Sequence, residues 1–347
     1  MGYRGTVNCV LQYGENDSCS GELLGDLGKG IQTMFLMMNE ARIGIGFGAS
    51  ALGYAGYIRS LSYARERKQG RLSNSKSPGE KQTPIINHPD VKRMLIIQKA
   101  YVEGALSLCF YGSFLNDLLW KRDETTLETH LLLDTLTPII KSWPSEWCLE
   151  ANKWAIQVHG GYGYTRDYDV EQLYRDNRLN MIHEGTNGIQ SLDLLTRIVN
   201  QKNGRGYTVL KETIEKSIAE AEDLATVGSQ LQTHCHILKD AVNSLTEVTK
   251  SLGLSSPEIM ISNSHEYLNF MGRIVIAWQW LRMEAAATRQ LNKLKSMKLG
   301  DGGHCLYDGV LLTSNYFFIH ELPKIQQQKE LLLSFDTLNT TFPEDNF

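Results

Sequence analysis

The sequence predicts a mainly α-helical chain in three parts: a short β piece over residues 1–26, a helical bundle over 27–202 and a second helical domain over 203–347. Three observations predict it. Apolar residues come in short alternating runs between Thr6 and Leu24, they recur at helical spacing from Gly30 onward, and a polar break at Asn200 to Gly206 divides the helical part in two.

Taken in order, the turn cluster Gly14-Glu15-Asn16-Asp17 between apolar runs reads as a residual β-hairpin at the N-terminus. Ile31, Met34, Phe35, Met38, Ile43 and Ile45, then Ala51, Leu52, Ala55, Ile58, Leu61 and Ala64, form one long helix that closes on Arg65-Glu66-Arg67-Lys68. Gly70 to Gln82 has loop composition. Asp90 reads as the N-cap of a helix through Leu119, and another runs from about Thr125 to Ile140. Pro138 and Pro144 punctuate the next connection, Glu146 to Val158 is helical, and Gly160-Gly161-Tyr162-Gly163 ends it. Short helices follow at Val170 to Arg178 and beyond Asn187, and Val209 to Leu333 reads as several amphipathic helices interrupted at Gly300-Asp301-Gly302-Gly303.

Composition excludes several functions. Lys+Arg of 35 against Asp+Glu of 39 leaves a net charge of -4, with no basic excess for a nucleic-acid backbone or an anionic membrane. No apolar run approaches the ~18 residues that span a bilayer, and Met1 to Thr6 carry neither a signal h-region nor an Arg/Ser-rich presequence. Six cysteines with no C-x-x-C fit a reducing compartment rather than a disulfide framework. Paired Glu-x-x-His motifs are absent, and His234-Cys235-His236 splays around a helix, so no metal site is expected. G-x-S-x-G is absent as well, which disfavours a hydrolase.

The unusual stretches are Gln157-Val158-His159-Gly160-Gly161-Tyr162-Gly163 and His183-Glu184-Gly185-Thr186-Asn187-Gly188-Ile189-Gln190. Glycines packed this closely let backbone N–H groups approach a phosphate, or they simply make a tight turn and a helix C-cap. Glu184, at a helix entrance after an apolar run, is either a carboxylate shielded into general-base range or a residue that complements the helix dipole. The stripe of Met34, Met37 and Met38 reads as core.

Six motifs in one order resemble the acyl-CoA dehydrogenase family: Met37-Met38-Asn39-Glu40-Ala41-Arg42, Tyr63-Ala64-Arg65-Glu66-Arg67, His88-Pro89-Asp90-Val91, Gln157 to Gly163, Arg175-Asp176, and Glu184 to Gln190. Arg65 to Arg71 and Asn87 to Asp90 are similar to the larger, 3-methylmercaptopropionyl-CoA dehydrogenase-like members, which have an extra C-terminal helical domain. The resemblance covers essentially the whole chain. It implies the family's C-terminal helical bundle, FAD as cofactor, an acyl-CoA substrate oxidised to trans-2-enoyl-CoA, and an electron-transferring flavoprotein as acceptor. It also implies a homodimer or dimer of dimers.

By the same resemblance Glu184 is the base that removes the α-proton. Gly185, Thr186, Asn187 and Gly188 follow it in the FAD-contacting positions, while Gln157, Val158, His159, Gly160 and Gly161 match a flavin-contacting loop that serves the neighbouring subunit. Arg67 and Lys68 match the cationic site for the FAD pyrophosphate. Asn39, Glu40, Ala41 and Arg42 match the segment bordering the acyl-CoA. The sequence departs from the family pattern at His183 for Tyr, Gly188 for Gln and Pro89 for Gln. The family's N-terminal helical domain and most of its middle β-domain have no counterpart before Tyr3, so an N-terminally truncated dehydrogenase is expected. A non-catalytic helical scaffold and a flavoprotein oxidase are the alternatives.

Overall fold

The computed structural model describes residues 1–72, 81–121, 127–296 and 304–347. Its helices are α1 (Gly30–Glu66), α2 (Pro89–Trp120), α3 (Leu127–His159), α4 (Val170–Asn177), α5 (Asn187–Leu192), α6 (Gln201–Glu222), α7 (Gln230–Gly253), α8 (Pro257–Ser296), α9 (His304–Tyr316), α10 (Ile325–Leu333) and α11 (Leu338–Thr341). The expected mainly α fold is therefore present. The long helices α1, α2 and α3 pack on one another, α4 lies against α1 and α3, and α8 is the axis on which α5, α6, α7, α9 and α10 gather. Among the described residues no helix is long and apolar enough to cross a membrane.

Small residues bring α1 against α3. A Cβ on Gly46 would lie 2.3 Å from the Ile140 carbonyl oxygen, and one on Gly53 would lie 2.7 Å from Cys148 Cβ. Polar side chains lock the seam: Asn152 Nδ2 donates to the Leu52 carbonyl at 2.9 Å, and Asn177 Nδ2 donates to that of Ala49 at 3.2 Å. One apolar core runs from Ile43 through Trp143, Trp278 and Trp280 to Leu332, and a smaller cluster around Ala64, Met94 and Val158 closes the far end of α1.

Four expectations are corrected. The N-terminal hairpin is not formed: among the described residues 6–24 belong to no strand, and Val7, Val10, Leu11, Tyr13, Leu23 and Leu24 are exposed. Only the turn itself is present, Asp17 N donating to the Gly14 carbonyl at 3.2 Å, because a lone hairpin in water lacks a surface on which to bury its apolar face. Pro138 and Pro144 do not separate two helices but lie inside α3. Burial of nearly every residue from Leu131 to Ser145 outweighs the two missing donors, and the Thr135, Thr137 and Ser145 hydroxyls donate to carbonyls along the same stretch. Asp90 is not the N-cap of α2: His88 occupies that position, Pro89 takes the first helical place, and Asp90 sits in the first turn bonded to Arg93. Met34 and Met37 are exposed rather than core.

The polar break is a kink: Lys202, Asn203 and Gly204 have φ of 50°, 58° and 77° at the head of α6. His234, Cys235 and His236 diverge as anticipated, the first two buried and the third exposed. The glycine-rich run 300–303 and most of the 70–82 loop lie outside the described residues.

Candidate active site

Two clusters gather most of the residues singled out in the sequence. The first surrounds the loop that leads into α5. Glu184 and Gly185 have φ of 54° and 84°, two successive left-handed residues that swing the chain out and back. A side chain at 185 would be strained there and would meet Gln190 Nε2 at 2.8 Å, so glycine is required. The loop is braced by Gln190 Nε2, which donates to the Glu184 carbonyl at 3.1 Å. Thr186 caps α5 by accepting from Ile189 N at 3.2 Å. A glutamate held at positive φ is a costly conformation of about 1–3 kcal/mol that persists only where its surroundings over-determine it.

Beneath this loop lies a polar layer. Asn187 is buried, accepting from Lys141 Nζ at 3.4 Å and donating to Glu146 Oε2 at 3.2 Å. Arg42, also buried, pairs with Asp193 at 3.6 Å, and Asp193 is held in turn by both ends of the Arg197 guanidinium at 2.5 and 2.9 Å. Burial lowers the Lys141 ammonium to about 8, with the Arg42 guanidinium adding to the effect and the Glu184 carboxylate opposing it. Burial likewise lowers His183, with Lys141 pushing the same way and Glu184 against. His183 ends a ladder of side-chain amides, Asn152 to Asn177 to Asn180, that ties α3, the end of α4 and the loop together.

Glu184 itself is exposed. Its carboxylate is therefore not shielded among the described residues, contrary to the first of the two readings its sequence position offered. Beside Arg42 a cavity of about 470 Å³ is lined by Asn39, Leu119, Trp120, Leu133 and Arg197, and Asn39 Nδ2 donates to Asp134 Oδ1 at 2.9 Å. Glu40 and Ala41 face solvent on the other side of α1.

The second cluster lies where α1 and α3 end. Arg67 leaves α1 in extended conformation, and residues 67–70 pair with 83–85 through Gln69 N to Thr83 O, Thr83 N to Gly70 O and Ile85 N to Arg67 O. The Arg67 guanidinium lies 5.2 Å from the Tyr162 ring centre, and its Nε is buried without a partner among the described residues. His159 stacks on Tyr63 at 4.4 Å and its Nδ1 meets the Ala155 carbonyl at 2.8 Å; burial pushes its pKa down. Gly160, at φ 61°, turns the chain, and Gly161 borders open space. Arg67, Gly70, His88 and the run Gln157 to Tyr162 line a cavity of about 600 Å³. Lys68 pairs with Pro84 and points to solvent instead of lining it.

The two clusters do not meet. Lys141 and His159 are 18 residues apart on one continuous helix, roughly 27 Å along its axis. Lys141, Glu146, Asp193 and the asparagine ladder were not recognised in the sequence. A lysine inside the apolar run Pro138 to Trp143 was the available signal for the first.

Comparison with known proteins completes these observations. The family model described as acyl-CoA dehydrogenase, C-terminal domain, matches residues 28–199, and the one described as acetyl-CoA dehydrogenase C-terminal like matches residues 210–342. The chain is 31% identical over 298 residues to 3-methylmercaptopropionyl-CoA dehydrogenase of Ruegeria pomeroyi, covering 84% of this chain and 49% of that protein. It is 27% identical over 350 residues to a broad-specificity linear acyl-CoA dehydrogenase of Mycobacterium tuberculosis, covering 97% and 56%. The chain thus spans about half the length of these relatives. An acyl-CoA dehydrogenase complexed with FAD from Bacillus anthracis shares the fold, with a TM-score of 0.64 at 21% identity over 89% of this chain and 51% of that one.

Proposed function

Because the chain belongs to the acyl-CoA dehydrogenase family, we propose that it supplies the helical part of an FAD-dependent enzyme that converts an acyl-CoA thioester to trans-2-enoyl-CoA. The observation that carries this is the Glu184 loop: a carboxylate held at positive φ on a braced turn, open to solvent, above two buried cations. Glu184, as a carboxylate, accepts the α-proton of the thioester. Bound FAD supplies the acceptor for the β-hydride.

The residues fit that cofactor at both clusters. Thr186 and Gly188 are exposed and Gly185 half-buried on the loop, whereas Asn187 turns its side chain inward, so its contribution there is through the main chain. At the far end, the Arg67 Nε without a partner among the described residues, the Gly160-Gly161 backbone and the 600 Å³ cavity suit a pyrophosphate. A separation of roughly 27 Å along α3 supports assigning that cavity to the cofactor of a second copy, hence a homodimer or dimer of dimers. The Asn39 and Arg42 face borders the acyl-CoA, an electron-transferring flavoprotein receives the electrons, and the division at 202/203 separates the family bundle from the additional helical domain.

The test is Glu184→Gln in the chain supplied with FAD and an acyl-CoA thioester. Turnover should fall by about 10³-fold or more while FAD remains bound. Wild-type turnover in that variant would remove Glu184 from the mechanism, and failure of the chain to bind flavin in any oligomeric state would favour a helical scaffold.

A further inference from the structure

Lys141 has no place in the motifs of the family resemblance, yet it is fully buried in α3 between Ile140 and Ser142. An ammonium in such surroundings is retained against a desolvation penalty unless other groups hold it. It donates to Asn187 Oδ1, and Asn187 stands three residues beyond Glu184, directly behind the Gly185-Thr186 turn. Glu146, one turn and a half along α3, accepts from the other end of the same amide. Asn187 is thereby clamped from below while Glu184 stands on the solvent side.

The charged groups facing Lys141 come from three directions. Arg42 arrives from α1 with its partner Asp193 and with Arg197, Glu184 and His183 arrive from the loop, and Glu146 lies on α3 itself. Of these, Arg42 disfavours the ammonium and Glu184 favours it.

We propose that Lys141 is a positioning residue for Glu184: through Asn187 it fixes the turn that carries the carboxylate, and its buried charge is coupled to that carboxylate. The proposal rests on Glu184 being the base. Coupling of this kind is reciprocal, so the carboxylate must stabilise the ammonium as much as the ammonium stabilises the carboxylate. A lysine that merely filled space would show no such exchange.

The reciprocity is measurable on the chain without turnover. The chain is labelled with ¹³Cε-lysine and titrated by NMR. One lysine should titrate near pH 8 and vanish from the spectrum in Lys141→Arg. Should that variant not fold, the resonance is identified instead by its displacement in Asn187→Ala. In Glu184→Gln, an isosteric change at an exposed position, the midpoint should fall by about half a pH unit, because the interaction favouring the ammonium is gone. An unmoved midpoint, or the absence of any lysine titrating below the ordinary range, overturns the proposal. Since no flavin or substrate is present, that result is separate from the turnover test of Glu184 as base.

Discussion

Replacing Gly46 by alanine separates helix propensity from packing on α1. In an isolated helix the change stabilises, since glycine in a helix interior is about 1 kcal/mol worse than alanine. Here the added Cβ would sit 2.3 Å from the Ile140 carbonyl oxygen and 3.1 Å from Cys109 Sγ. Because Cβ atoms essentially never approach closer than 3.0 Å, α1 must retreat from α3 by roughly 0.7 Å. The oxygen belongs to backbone, cannot rotate away, and is the acceptor left without its helical donor by Pro144. Overpacking of about 1–3 kcal/mol, aggravated by loosening at Gly53 and Gly56, exceeds the propensity gain. Gly46→Ala should therefore destabilise by about 1 kcal/mol net in urea unfolding. Gly44→Ala, two residues away on the same helix with nothing within 4 Å, should stabilise by about 0.5–1 kcal/mol. Equal stability of the two variants would refute a backbone contact as the determinant of the α1/α3 distance.

Two further outcomes are expected. Lys141 falls from an ordinary 10.5 to about 8 on folding, so the unfolded chain binds more protons between those pH values and the Lys141 contribution to stability rises with pH across that window. Well below pH 8 the full penalty of about 3 kcal/mol is present; Lys141→Met should thus exceed wild type by about 2 kcal/mol at pH 7, after loss of one hydrogen bond, and the difference should vanish at about pH 10 and reverse above it, as read by urea unfolding. Thr186→Ala removes the cap of α5 and should lower stability by about 1 kcal/mol in the same measurement, with faster amide exchange at Ile189; unchanged exchange would show that the loop does not depend on the cap.

Much of the chain was legible as sequence because the determining interactions are local. The 3.6-residue apolar period produced α1 from Gly30, the glycines after His159 ended α3, and the polar run at 200–206 marked the left-handed kink at the head of α6. The turn residues Gly14 to Asp17 were equally readable, while the hairpin around them was not, since its strands depend on a surface outside the hairpin. The prolines of α3 misled for the same reason: the burial that carries the helix through them comes from α1, α2 and α8. At the candidate site the motifs located Glu184, Arg42, Arg67 and the Gln157 to Gly161 run. Only tertiary structure revealed that Glu184 is exposed, that Asn187 faces inward, and that Lys141 and Glu146 hold it across more than forty residues of chain. Helix periods and glycine turns are set by neighbours in sequence, whereas a buried cation beneath the Glu184 loop is set by which helices meet, and that depends on glycines admitting α3 to within contact of the α1 backbone.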